Sequence, residues 1–424
     1  MSAVLTPDNC VDELERVIRE ALRQSMPAYL VIAEADGYAP LIGNPVSGPP
    51  LLKVKRQRSD PTELRAAVDT VVSRLAAAQR PVALITSLAA RYGVAGRAVE
   101  LITKAGLPVA ITSYDKGVID ESLPNYIGLY GGQASHPAQV RETVEGADLV
   151  LDIGGVMLTE LNTGMWSEAL DVDRAVCIHD NWVRAGEKVF INVAIDDVLE
   201  AATREVAPGA APTVAGPDPL ELTGSGDDPT SSANFYPRLQ RRLADGDTLV
   251  IETGTAMLHL NPMRLPAGVG AEEQGLWGSI GWATPATLGI ALAKTAGRTW
   301  LVTGDGSHQL TLNELAVMGR YGVAPRIFVL NNGLYGVEDV ISERGHVYDD
   351  LAAVQYHLLP EAFGCRGWLS AKVTTVAELD DVLDRIDAHD GAAYVEVMIP
   401  GEESQPLPTA IKDRAYKIRT PEAG

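Results

Sequence analysis

Between Thr299 and Ile341 the chain lays down an apolar run, a glycine-flanked aspartate, a helical stretch, a second apolar run and a pair of asparagines. Trp300-Leu301-Val302-Thr303 delivers Gly304-Asp305-Gly306-Ser307, and a helix follows, opened by Thr311 with Glu314 three residues on, the spacing of a capping box. Ile327-Phe328-Val329-Leu330 then ends in Asn331-Asn332-Gly333. Two short buried strands joined by a helix form a parallel βαβ unit with a right-handed crossover. Both turns then lie at the carboxyl ends of neighbouring strands, where open α/β sheets bind ligands. Glycines there let backbone N–H groups approach phosphate oxygens, and the helix N-terminus adds partial positive charge. An Asp carboxylate beside an Asn carbonyl is a hard-oxygen pair suited to magnesium. No Lys or Arg lies between Gly304 and Asn313, so this is not a phosphate loop of the GK[ST] type.

The rest of the chain repeats the strand–helix alternation. Thr62–Ala77 has a helical pattern, and Val82–Thr86, Val109–Thr112 and Leu149–Ile153 read as buried strands with helices Val94–Lys104 and Pro137–Val144 between them. After a Pro/Gly/Ser-rich stretch at 206–234 come a strand at Thr248–Ile251, a helix at Ala283–Lys294, a strand at Thr299–Thr303, a helix at Leu312–Arg320, and strands at Arg326–Leu330 and Tyr394–Met398. The expected class is α/β, two parallel-sheet domains with flanking helices. The opening segment offers an amphipathic helix (Val11, Leu14, Val17, Ile18, Leu22), a strand at Ala28–Ile32 and a Gly/Pro-rich stretch through Pro50. It is too short to close a core of its own.

Charge narrows the ligands. The formal net charge of −21 opposes a sequence-independent grip on nucleic acid. It also requires any anion to be held by backbone N–H groups or a metal. No apolar run is long enough to span a bilayer, and Met1-Ser2-Ala3 opens no basic-then-apolar leader, so neither a membrane role nor secretion is expected. Cys10, Cys177 and Cys365 form no CxxC and suit a reducing, cytoplasmic compartment.

Gly-Asp-Gly, twenty-four residues, then Asn-Asn, with strand, helix and strand between, resembles the signature of thiamine-diphosphate enzymes. The run Asn331-Asn332-Gly333-Leu334-Tyr335-Gly336-Val337-Glu338 is similar to that of pyruvate and indolepyruvate decarboxylases, whose corresponding stretch ends in a catalytic Glu. The resemblance implies thiamine diphosphate and Mg2+ as cofactors. Asp305, the Asn332 side chain and the Leu334 main-chain oxygen would bind the metal. Gly304, Gly306 and Ser307 would meet the diphosphate, with Tyr335 and Gly336 alongside, and Glu338 would act beside the reacting carbon. Glu252-Thr253-Gly254-Thr255 resembles the segment contacting diphosphate and aminopyrimidine, implicating Thr253 and Thr255. In Gln274-Gly275-Leu276-Trp277-Gly278-Ser279-Ile280-Gly281, Gly278 would accept from the pyrimidine amino group, Ser279 would adjoin it, and Ile280 would wedge the two rings into a bent conformation. Taken alone, Ile280 reads as a core residue at a helix entrance, and Glu338 as a solvated helix carboxylate beside Asp339. Thr112–Glu121, Ala147–Gly154 and Leu161-Asn162-Thr163-Gly164 are similar to the family's middle domain, which implies a structural or regulatory scaffold; some relatives bind a nucleotide there, but no GxGxxG follows a strand here.

Members of that family carry an N-terminal pyrimidine-binding domain with a Glu that starts ylide formation, and the decarboxylases carry paired histidines there. None of the seven histidines here is adjacent to another. The expected organisation is 1–60, tail of a pyrimidine-binding domain and linker; 61–203, central domain; 204–234, linker; 235–424, cofactor-binding domain. A separate pyrimidine-binding-domain subunit of about 150–200 residues would complete an α2β2-like hetero-oligomer. The implied reaction decarboxylates a 2-keto acid to an enamine released as aldehyde. Two alternatives are a carboligase of the acyloin or acetolactate type and a non-catalytic cofactor-binding subunit.

Overall fold

Short runs rich in Val, Ile and Leu, each ending in a glycine or polar turn, become the buried strands of two sheets. The computed structural model describes residues 1–40, 42, 58–163, 170, 173–293, 296–342, 345–400 and 412. Most of the Gly/Pro-rich stretch between Pro40 and Pro50 lies outside the described residues, as do Gly164 and Lys294. Among those described, no helix is long and apolar enough to cross a membrane.

The first large sheet contains β3 (Pro81–Ile85), β4 (Val109–Ile111), β5 (Tyr126–Leu129), β6 (Leu149–Ile153), β7 (Ala175–His179), β8 (Trp182–Ala185) and β9 (Lys188–Ile191), in the order β5-β4-β3-β6-β7-β8-β9. The five strands β5 to β7 are parallel, and β7-β8-β9 is an antiparallel meander at one edge. The parallel sheet gains this antiparallel edge: β8 alternates half-buried and buried residues and forms a ladder across the turn at Asp180-Asn181, a pattern that antiparallel strands allow. The covering helix Pro61–Ala77 starts where Asp60 accepts from the Thr62 and Glu63 N–H groups and Pro61 takes the first helical position. Its Ala67, Val68, Val71 and Leu75 form the buried stripe.

The second large sheet contains β10 (Thr248–Ile251), β11 (Gly270–Glu273), β12 (Thr299–Gly304), β13 (Arg326–Asn331), β14 (Leu369–Val373) and β15 (Ala393–Met398). All are parallel, in the order β11-β10-β12-β13-β15-β14. Helices lie on both faces and bury two separate apolar clusters, around Trp300 and Phe328 on one side and Leu301 and Ile327 on the other. A third, two-stranded sheet pairs β1 (Ser2–Leu5) with β2 (Tyr29–Ile32) around the helix Cys10–Gln24. That helix forms as its spacing predicts, yet of its apolar stripe only Val17 is buried, with Leu14, Ile18 and Leu22 exposed.

A polar seam joins the two large units. The Lys116 ammonium, with no exposed side-chain surface, pairs with Glu121 at 2.9 Å and donates to the Asn261 and Met263 carbonyls. Glu121 accepts from the Leu265 N–H at 2.8 Å. Close by, the Glu273 carboxylate reaches Asn261 at 3.5 Å, and its Oε2 is enclosed without a partner. Burial pushes this carboxyl up to about 8 from an ordinary value of 4.5. The folded protein therefore keeps a proton that the unfolded chain has lost, and stability falls as pH rises from the unfolded value toward the folded one. Glu273→Gln removes that penalty. We expect it to stabilise the cofactor-free protein by on the order of 1–3 kcal/mol at pH 8 and to have little effect near pH 5, as read from melting temperatures at the two pH values.

Candidate active site

The six-stranded sheet reverses its winding between β10 and β12. From β10 the chain crosses outward to β11, whereas β12 begins the run toward β13, β15 and β14 on the other side. A reversal of this kind opens a crevice beyond the carboxyl ends of the strands. A cavity of about 350 Å³ lies there, walled by the ends of β10, β12 and β13, the turn through Gly278 and Ile280, and the short helix Gly336–Ile341.

At the end of β12 the helix Asp305–Gln309 starts without an intervening loop. Asp305 is buried, and its carboxylate accepts from the Gly306 N–H at 2.9 Å and the Gly333 N–H at 2.8 Å, joining the ends of β12 and β13. Burial raises this carboxyl to about 6. A Cβ on Gly306 would stand 2.5 Å from the Tyr335 ring, so only glycine allows the two segments to approach this closely. Beyond β13, the Asn332 side-chain oxygen accepts from the Leu334 N–H at 3.2 Å. The turn is strapped from outside: Tyr335 N–H donates to Asp349 O, and Leu351 N–H to Gly333 O.

On the other side of the crevice β10 runs into Glu252-Thr253-Gly254. Gly254 has φ +124 and ψ −151, a conformation for glycine, and it starts the helix Thr255–Leu260. The Thr253 hydroxyl donates to Gln274 O at 3.1 Å, and Ser307 Oγ donates to Thr253 O at 3.4 Å, so three of the walls are cross-linked. The Gln274 side-chain oxygen accepts from the Trp277 N–H and the Ser279 N–H, folding the turn that carries Gly278 and Ile280. Thr311 does not cap a helix. Its hydroxyl donates to Gly281 O at 2.9 Å, and the helix Glu314–Tyr321 begins after Asn313. The tertiary bond outcompetes the local one because Gly281 lies directly across from it.

Of the residues singled out from sequence, Thr253, Thr255, Gly278, Ile280, Gly304, Asp305, Gly306, Ser307, Asn332, Leu334, Tyr335, Gly336 and Glu338 line this one cavity. Ser279 is not on its wall. Glu338 is exposed toward the cavity, whereas its neighbour Asp339 is buried and accepts from the Gly345 N–H at 3.1 Å. Sequence reasoning missed Ser232, Ile341, Ile399 and Pro400, which also contribute to the wall. The apolar pair Ile341 and Ile399 carries no motif, and only its position after Glu338 and after β15 marks it.

None of the cavity's described wall residues is Lys, Arg or His. Among the described residues, no group of three or more His, Cys, Asp or Glu is placed to hold a metal ion. An anion in the cavity therefore depends on N–H groups and hydroxyls, and a cation on the carboxylates of Asp305 and Glu338 supplemented by amide and main-chain oxygens.

Residues 68–204 match the thiamine pyrophosphate enzyme central domain, and residues 253–397 match the thiamine pyrophosphate enzyme C-terminal TPP binding domain. The chain is 32% identical over 411 residues to a pyruvate decarboxylase of Aspergillus fumigatus, an alignment covering 94% of this chain and 70% of that protein. It is 31% identical over 404 residues to an alpha-keto-acid decarboxylase of Mycolicibacterium paratuberculosis, again covering 94% of this chain and 70% of the relative. A solved benzoylformate decarboxylase from Polynucleobacter necessarius shares the fold, with a TM-score of 0.76 at 16% identity over 96% of this chain and 76% of that one.

Proposed function

Because the chain belongs to the pyruvate and alpha-keto-acid decarboxylase family of thiamine pyrophosphate enzymes, we propose that it binds thiamine diphosphate with Mg2+ in this cavity and decarboxylates a 2-keto acid to an aldehyde, as the cytoplasmic subunit of a split enzyme. The observation that carries the reading is the convergence of Thr253, Gly278, Asp305, Asn332 and Glu338, from separate segments of the chain, on one cavity at the sheet's switch point.

The donor set fits the cofactor and its metal. The Asp305 carboxylate, the Asn332 amide oxygen and the Leu334 main-chain oxygen are hard ligands of the kind Mg2+ takes. With no wall cation to offset a diphosphate, a metal is the charge partner this cavity lacks. Gly306 and Ser307 stand at the start of a helix, where N–H groups favour phosphate oxygens. When bound, thiamine diphosphate supplies a carbon nucleophile and a sink for the electrons left as carbon dioxide departs. The protein's part is orientation and proton handling. The Gly278 carbonyl would accept from the pyrimidine amino group, and the Ile280 side chain would hold the cofactor's rings in place. Glu338 projects from the helix Gly336–Ile341 into the cavity and holds or releases a proton at the reacting carbon. Ile341 and Ile399 make the adjoining wall apolar, suited to a substrate side chain without charge.

A separate pyrimidine-binding-domain polypeptide completes the site in an α2β2-like assembly. Support comes from the rim, where Trp277 is 80% exposed and Leu276 and Leu310 are also open. Exposed apolar side chains of this kind at the mouth of a cavity are what a surface covered by another protein presents.

Calorimetric titration of thiamine diphosphate and Mg2+ into the chain alone, and then with an added pyrimidine-binding-domain polypeptide, tests the reading when carbon dioxide release from 2-keto acids is followed alongside. We expect the chain alone to bind the cofactor without turnover, and turnover with aldehyde product to require the added polypeptide. Absence of cofactor binding in both mixtures would remove the proposal. Acyloin in place of aldehyde would move the assignment to a carboligase.

A further inference from the structure

Glu252 follows β10 at the switch point, is fully buried and is not on the cavity wall. Its Oε1 accepts from the Thr253 N–H at 3.0 Å, and its Oε2 accepts from the N–H of Ala283, the first residue of the helix Ala283–Ala293, at 3.3 Å. The Gly281 backbone and the Thr303 side chain also lie beside the same carboxylate, the Thr303 hydroxyl itself donating to Gly304 O at 3.3 Å. Its own backbone N–H donates to Val302 O. Among the described residues no Lys or Arg pairs with it. A buried carboxylate without a cation is costly, and a hydrocarbon of similar size would be easier to place in this core.

The geometry explains what the charge achieves. The groups around the carboxylate come from three stretches of chain, and each stretch carries part of the cofactor wall: Thr253, a donor, and Thr255 follow β10, Gly278 and Ile280 precede the donor Ala283, and Thr303, beside the carboxylate, leads directly into Gly304 and Asp305. Two of the stretches turn on glycines with positive φ, Gly254 in one and Gly278 and Gly281 in the other, so their own backbones do little to fix their course. A carboxylate accepts on both oxygens. An amide of the same shape offers one acceptor, and its NH2 group would face an N–H donor.

We infer that Glu252 is a positioning residue: its carboxylate clamps the three cofactor-bearing segments at the spacing thiamine diphosphate requires, without touching the cofactor. This rests on the reading of the cavity as a thiamine diphosphate site. Burial raises the Glu252 carboxyl to about 7, so in the cofactor-free protein the clamp is partly protonated near neutral pH. The bound state favours the ionised form, which alone accepts on both oxygens. Cofactor affinity therefore falls as pH drops through that value.

The test is titration of thiamine diphosphate and Mg2+ into the whole chain and its Glu252→Gln and Glu252→Asp variants at pH 6 and pH 8, with melting temperatures of the cofactor-free proteins. Glu252→Gln is expected to lower affinity at pH 8 by about tenfold or more, without lowering the melting temperature, and to flatten the pH dependence relative to wild type. Glu252→Asp, which keeps the charge on a shorter stem, should recover part of the affinity and retain the pH dependence. Equal affinity and an equal pH profile in wild type and Glu252→Gln would overturn the clamp while leaving the cofactor site standing. Failure of the wild type to bind would overturn the site itself, and the clamp with it. Should Glu252→Gln not fold, the wild-type pH profile and the Glu252→Asp variant decide: a flat profile together with undiminished Glu252→Asp affinity overturns the inference.

Discussion

Glu338→Gln is expected to lower 2-keto acid turnover by about two to three orders of magnitude, the range for loss of a positioned proton donor or acceptor, and to leave thiamine diphosphate affinity within about twofold of wild type. The structure separates the two effects. Glu338 lies on a short helix with its side chain exposed toward the cavity, and no described neighbour depends on it for a side-chain hydrogen bond. Exchanging the carboxylate for an amide keeps its volume and removes only its capacity to hold and release a proton. Asp339 provides the contrast. It is buried and fixes the Gly345 N–H, so Asp339→Asn should act on stability more than on the chemical step. Carbon dioxide release, read beside calorimetric affinity, distinguishes the cases. Unchanged turnover in Glu338→Gln would return this residue to being a solvated helix carboxylate.

Asp305→Ala should abolish metal-dependent cofactor binding, with affinity falling by about a thousandfold or more. Asp305 acts in two ways. It is a buried carboxylate on a wall without Lys, Arg or His among its described residues, so a magnesium ion would have no other anionic anchor among the residues proposed to ligate it. It also accepts from Gly306 and Gly333, and its loss frees the turn that carries Asn332 and Leu334. Asp305→Asn keeps one acceptor and loses the charge, so its affinity should fall between those of wild type and alanine. Titration with Mg2+ and then with EDTA checks the assignment. Wild-type binding that survives EDTA unchanged would show that the diphosphate is held without a metal, and the ligand roles of Asp305, Asn332 and Leu334 would fall.

The parts of this site that could be read from sequence were those in which chemistry and chain order coincide. Gly304-Asp305-Gly306 and Asn331-Asn332 each end a buried strand, and two adjacent parallel strands must place their ends together. Thr253 and Gly278 depended on family likeness, because nothing local in Glu252-Thr253-Gly254-Thr255 announces a ligand. Glu252 itself could not be read. Its donor Ala283 and its neighbours Gly281 and Thr303 are distant in sequence, and a lone Glu after a strand carries no signal of burial. Thr311 failed for the opposite reason: a sound local capping pattern lost to the Gly281 carbonyl brought alongside by the fold. The antiparallel edge β7-β8-β9 escaped because its strands are short and β8 alternates Trp, Val, Arg and Ala, too few residues for a period to emerge. Leu14, Ile18 and Leu22 give a good helical stripe in sequence, but a periodic stripe does not reveal which surface covers it.

The strand order of the second sheet has a consequence for the making of the protein. β13, which ends in Asn331, lies between β12 and β15, and β15 is the last strand among the described residues. Every residue of β13 from Arg326 to Asn331 takes a register partner between Ala393 and Met398, and Glu396 also holds the Asn331 side chain at 2.8 Å. Chains emerge from the ribosome N-terminus first, and domains fold as units. The sheet of β3 to β9 can therefore close early, while the second sheet waits with its middle unpaired on one side. Every residue proposed to meet the cofactor, its metal or the reacting carbon has been synthesised by Glu338, yet β13 stays unpaired on one side until Met398 has been added.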